Sequence, residues 1–158
     1  MRFNYSLHSL ISMKTIKLTL FILLSFFTAY ISAEELGQLS AEQLIAMQKQ
    51  DDALVIDIRT ENEWNTTGII PDSYRLQFFS PTGKYDADKW LSDLNQLKTS
   101  PEQPVILVCR SGKRSGMVGD MLSKKMGIKN VHHLSTGIKP WIKAGNKTTD
   151  CSTKLACK

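Results

Sequence analysis

The chain is poor in the residues that would staple or metallate it. Its 158 residues carry three cysteines, three histidines and five prolines. Three cysteines are too few for a disulfide scaffold, and being odd in number they leave one thiol for another task. Two of the histidines, His132 and His133, are adjacent in a stretch that reads as a strand. Neighbours along a strand point to opposite faces, so the two cannot chelate one ion, and no metal or organic cofactor is implied. Excess positive charge is also scarce where it would matter. Three of the 20 Lys and Arg (Arg2, Lys14 and Lys17) precede Ala33, whereas all 15 acidic residues follow it, so the net +5 of the whole chain falls to +2 beyond Ala33. There is no long Lys/Arg run and no basic stripe interleaved with aromatics, which speaks against nucleic acid as a partner. No internal repeat occurs, and the only biased segment is the polar tail after Gly145.

Long apolar runs are missing too, with one exception. Lys14 and Lys17 precede Leu18 to Ile31, which is almost wholly apolar and ends at Ser32-Ala33 before the acidic Glu34-Glu35. A basic start, a short apolar centre and small residues at the end match a secretory signal peptide. The run is shorter than the roughly 20 residues of a spanning helix, so no permanent membrane anchor is expected. Residues 1–33 are therefore read as an N-terminal extension and signal peptide, with the mature chain beginning near Glu34 in the periplasm or outside the cell. Residues 34–145 make one domain, of a size that needs no disulfides, and residues 146–158 a polar tail.

Within that domain the periods alternate. Ser40 and Gln43 form a capping-box pattern for a helix to about Gln50, followed by a short buried strand over Ala53 to Ile58. Glu61 to Trp64 reads as a brief helical turn, Tyr74 to Phe78 as a weaker strand, and Asp86 as the start of a helix whose Trp90, Leu91, Leu94 and Leu97 share a face. Val105 to Cys109 is the clearest strand. Ser115 to Met126 has helical spacing and stops at Gly127; Val131 to Leu134 is a last strand, and Gly137 turns the chain into Pro140-Trp141-Ile142. Such alternation predicts an α/β fold, a mainly parallel central sheet with helices on both faces. Trp64, Trp90 and Trp141 are expected to be packing residues.

What the chain does have is a cationic loop around a cysteine. Cys109-Arg110-Ser111-Gly112-Lys113-Arg114-Ser115 follows the apolar Val105-Ile106-Leu107-Val108 directly. Ligands of α/β proteins bind beyond the carboxyl ends of the strands, where backbone N–H groups and the positive end of the next helix converge. Those dipoles, with Arg110, Lys113 and Arg114, favour the thiolate form of Cys109, which is the nucleophile. Four residues separate Cys109 from Arg114, one fewer than in the cysteine-dependent phosphatases and arsenate reductases, which makes the cradle tight for a tetrahedral phosphate.

Three separated motifs together resemble the rhodanese family over Leu39 to Ala144. Asp57-Ile58-Arg59 with Glu63-Trp64 and Gly68-Ile69-Ile70-Pro71 resembles its opening signature, Cys109 to Ser115 its active-site loop, and Leu134, Gly137 and Trp141 its closing signature. The chain departs at Ile69, where histidine is common, and at Asp72 and Thr136, where glycine is. Aspartate tolerates the left-handed backbone that glycine otherwise supplies. Among rhodaneses the chain is similar to the small exported thiosulfate sulfurtransferases.

The resemblance implies a rhodanese-like fold and persulfide chemistry. Cys109 attacks the outer sulfur of thiosulfate, sulfite leaves, and a thiophilic acceptor such as cyanide, a thiol or a thiol-redox protein removes the sulfur. Arg110, Ser111, Gly112, Lys113, Arg114 and Ser115 bind the donor, with Arg114 clamping the sulfonate through its planar fork. Asp57 either orients the loop or caps the turn after its strand, and Arg59 and Glu63 are expected to pair. An inactive binding or sulfur-sensing module is the main alternative, with phosphatase or arsenate reductase chemistry behind it. In an oxidising compartment Cys151 and Cys157 can close a small disulfide loop.

Overall fold

Side-chain caps set three helices in the computed structural model, which describes residues 35–150. The leader read over residues 1–33 and the Cys151/Cys157 pair lie outside the described residues. Ser40 Oγ accepts the Gln43 N–H while Gln43 Oε1 accepts the Ser40 N–H at 2.8 Å, and this box opens α1, Ala41–Gln50. Thr60 and Glu63 close a second box over α2, Glu61–Thr67, so the turn expected to end at Trp64 runs on for three residues. Asp86 accepts the Lys89 N–H at 3.0 Å and opens α3, Ala87–Leu97. Each cap satisfies donors that the first helical turn leaves without intrahelical partners.

The apolar runs become strands of one parallel sheet. β1 is Gly37–Leu39, β2 Leu54–Asp57, β3 Tyr74–Arg75, β4 Val105–Val108 and β5 Val131–Leu134, in the order β1-β5-β4-β2-β3. β4 is central, with Val105 opposite Leu54 on one side and Val131 on the other. Two sequence expectations need correction here. β1 has no period of its own to announce it: three residues become a strand because β5 offers an open edge, and Gly37 sits where a Cβ would collide with the His132 ring. β3 ends at Arg75 instead of reaching Phe78: beyond it the backbone keeps only irregular bonds to Asp57 and Ile58, and the Phe78 ring meets Trp90 at 5.3 Å and Phe79 at 4.8 Å edge to face.

Helices cover both faces, as the alternation predicts. Ile56, Val105 and Leu107 pack on one face with Trp90, Leu94, Val118 and Leu122. Val55, Ile106 and Val108 pack on the other with Leu44, Ile138 and Trp141. The Trp141 indole buries its rings in this second layer and still donates from Nε1 to the Lys147 carbonyl at 2.9 Å.

After β4 the chain forms α4, Lys113–Asp120, which starts two residues before the expected Ser115. It then widens into a π-type turn over Met121–Lys125 instead of running on as α-helix to Met126. Ser123 Oγ donates to the Gly119 carbonyl at 2.9 Å inside this stretch. Gly127 ends it at φ 67°. α5, Ile138–Lys143, follows β5. Asp72 adopts φ 60°, the left-handed backbone anticipated for it. Beyond α5 the chain returns to Ile69, which exchanges two backbone hydrogen bonds with Thr149. No helix among the described residues is long and apolar enough to cross a membrane.

Ile106 is wholly buried in the central strand, so Ile106→Ala should cost about 2–5 kcal/mol of stability. Urea unfolding should show that loss, and Ile142→Ala, at a site 38% exposed, should stay within about 0.5 kcal/mol of the parent.

Candidate active site

The site lies at the carboxyl ends of β4 and β5, where two loops press together. Cys109 follows β4 and is fully buried. Its Sγ accepts the Ser115 N–H and the Ser115 Oγ–H, each at 3.3 Å. Gly112 makes the turn between them at φ 83°, in the left-handed region that favours glycine. A Cβ there would collide with the Ser135 carbonyl oxygen. On the facing loop a Cβ at Gly137 would collide with the Ser111 nitrogen. The Ile138 N–H donates to the Cys109 carbonyl at 2.8 Å and the Lys139 N–H to that of Arg110 at 3.1 Å. The start of α5 thus holds the backbone of the cysteine loop.

The loop residues divide by exposure. Arg110, Ser111 and Lys113 are exposed, while Gly112 and Ser115 are buried. Arg110 lines a groove of about 440 Å³ with Asn62, Thr66, Ile138 and Lys139. Lys113 lines another of about 750 Å³ with Phe79, Tyr85, Met117 and His133. The cysteine loop forms part of the wall of each.

Two ion pairs flank the thiol, and they are not the pair expected from the sequence. Arg59 pairs with the Asp57 carboxylate, not that of Glu63: its Nε and a terminal nitrogen reach Asp57 at 2.9 and 2.7 Å, and both residues are 1% exposed. A guanidinium buried that deeply needs a full set of acceptors, and the Gly68 carbonyl, Thr67 Oγ1 and, at 3.5 Å, the Glu63 carbonyl supply the rest. Asp57 is therefore a tie between β2 and α2. Glu63 binds Arg114 through both terminal nitrogens, at 2.9 and 2.5 Å. Partial burial pushes the Glu63 carboxyl up, but hydrogen bonds from Arg114 and the Thr60 backbone outweigh it and hold the group below the usual carboxylate range. The Glu63 hydrogen bond raises Arg114 against its own burial, helped by the charges of Glu63, Cys109 and Asp57.

His133, set aside as a metal ligand on sequence grounds, has a partner in the site. It is 7% exposed, and its Nδ1 lies 3.3 Å from Ser115 Oγ. Burial pushes the imidazole below its ordinary value, against the Asp120 charge and a hydrogen bond with the Gly112 backbone. Ser115 is 18 positions away in sequence, so no local pattern could have joined them. Among the described residues no three His, Cys, Asp or Glu side chains gather to hold a metal ion.

Fold and site define an α/β protein with a buried cysteine at the head of a cationic loop. A profile of the rhodanese-like domain matches residues 40–144, and the chain belongs to that family. A putative mitochondrial thiosulfate sulfurtransferase of Schizosaccharomyces pombe is 35% identical over 94 residues, 56% of this chain and 62% of that protein. A thiosulfate sulfurtransferase of Pseudomonas aeruginosa superposes with a TM-score of 0.59 at 23% identity, over 75% of this chain and 21% of that one. A homodimeric polysulfide-sulfur transferase of Wolinella succinogenes gives 0.56 at 20%, over 88% and 93%. At those identities the two structures show the fold alone.

The depressed Glu63 carboxyl makes its pair with Arg114 sensitive to acid. Its stabilisation is fully present above the ordinary carboxylate value and is lost as the pH falls through the folded-state value. Glu63→Gln keeps the cap on α2 but removes this charge. Thermal unfolding of that variant should therefore change less between neutral and acid pH than that of the wild type.

Proposed function

We propose that the protein is a thiosulfate sulfurtransferase working through a Cys109 persulfide, exported from the cytoplasm by its leader. The observation that carries the reading is the pair of Ser115 donors converging on a buried sulfur. Donors fixed in advance stabilise an anion without reorganisation. They serve the thiolate that attacks and the persulfide anion that remains after sulfite leaves. The sulfur balance is simple: the Cys109 thiolate bonds to the outer sulfur of thiosulfate as the bond to sulfite breaks, with the electron pair leaving on sulfite. Cyanide, a small thiol or a protein thiol then attacks the outer sulfur and restores the thiolate. The S. pombe relative's name supports thiosulfate as donor.

Arg114 takes the sulfonate in this scheme by exchanging Glu63 for it. Its side chain is 30% exposed, so the exchange needs no unfolding. Arg110 and Lys113, exposed on either side, draw the dianion toward the loop.

Intact mass after thiosulfate treatment tests the reading. One added sulfur atom should appear, vanish on addition of cyanide with formation of thiocyanate, and be missing from Cys109→Ser, whose circular dichroism should match the wild type. A wild-type mass unchanged by thiosulfate would overturn the proposal. Arg114→Ala should raise KM for thiosulfate about tenfold or more, since a hydrogen bond to a charged group contributes roughly 1.5–3 kcal/mol.

A further inference from the structure

We propose that His133 is a positioning residue that receives the Cys109 proton by way of Ser115. Cys109 and Ser115 are wholly buried, and the side-chain hydroxyl bonded to the sulfur is that of Ser115. Ser115 Oγ carries one hydrogen and has three acceptors in reach: Cys109 Sγ at 3.3 Å, the Gly112 carbonyl at 3.1 Å and His133 Nδ1 at 3.3 Å. The hydroxyl is thus a junction between sulfur and imidazole. As the Sγ–H bond breaks, the proton passes to Ser115 Oγ and the serine's own proton passes to Nδ1. Thiol and neutral imidazole become thiolate and imidazolium, with no change in oxidation state. The proposal rests on the sulfurtransferase reading, which gives the thiolate its use.

The surroundings of His133 suit this task. A Cβ at Gly116 would lie 3.2 Å from the imidazole Cε1, so glycine lets the first turn of α4 rest on the ring. The ring lines the groove beside Lys113, which gives the proton an exit. The charged groups facing it are Asp120 and Lys113 of α4, Lys124 and Lys125 of the following turn, and Glu35 ahead of β1. Lys124 is tied to Asp120 at 2.8 Å. The adjoining strands β1 and β4 carry no titratable group within their spans. Burial, the largest effect, lowers the ring's affinity for a proton, while Asp120 and the Gly112 backbone act the other way and favour the protonated form.

The test uses the full chain and two readouts. The first is the ultraviolet thiolate band of Cys109 at neutral pH, taken as the difference from Cys109→Ser so that Cys151 and Cys157 cancel. The second is kcat/KM for thiosulfate against pH. His133→Gln should weaken the band, lower kcat/KM about tenfold or more, and remove the acid limb that protonation of His133 produces. His133→Asn and Ser115→Ala provide independent variants, each checked by circular dichroism. Ser115→Ala combined with His133→Gln should lose no more than Ser115→Ala alone, because the imidazole acts only through the serine. A folded His133 variant with the wild-type band and pH profile would overturn the relay. A band that weakens as expected in a protein that gains no sulfur from thiosulfate supports the relay and removes the sulfurtransferase reading instead.

Discussion

The close approach of two backbone loops is the constraint on which the site depends. The loop after β4 and the loop after β5 meet at Gly112 and Gly137, each at positive φ and each without room for a Cβ. Bonds from the Ile138 and Lys139 amides to the Cys109 and Arg110 carbonyls lock the contact. Within the first loop, the turn at Gly112 brings Ser115 round to the sulfur. The parallel sheet makes this possible by ending neighbouring strands at the same edge.

Charge is arranged around that contact at two depths. The Asp57–Arg59 pair is buried, fully hydrogen bonded and belongs to the architecture, tying β2 to α2. The Glu63–Arg114 pair is partly exposed and reaches from α2 to the cysteine loop. A buried pair resists exchange because separating it strands a charge in low dielectric. A half-exposed pair is screened by solvent and costs less to separate. Two arginines of like chemistry thereby sit in unlike pairs, one locked by burial and one open to solvent.

Much of the fold was legible in local pattern. Ser40 and Asp86 announced their helices by chemistry, and Val105 to Val108 its burial by an unbroken apolar run. Pattern failed where the cause was distant. Gly37–Leu39 became a strand because β5 had a free edge, and Tyr74 to Phe78 kept a regular ladder only as far as Arg75. At the site, Cys109 and its loop were readable as a contiguous motif. The partners of Arg59 and Arg114 were not, since Asp57 and Glu63 both flank Arg59 in the chain and only packing brings Arg114 to claim one of them. His133 was hidden for a related reason, since its serine belongs to a different element and meets it only in the folded protein.

The sequence by itself determined the alternation of strands and helices, the cysteine at a strand end, and the cations around it. Those are set by residue type and short spacing, which act before the chain folds. Tertiary structure alone decided that Arg114 binds Glu63, that Cys109 is buried, and that His133 stands behind Ser115. Each of these depends on contacts between segments far apart in sequence, and such contacts exist only once the sheet has set the register of its strands.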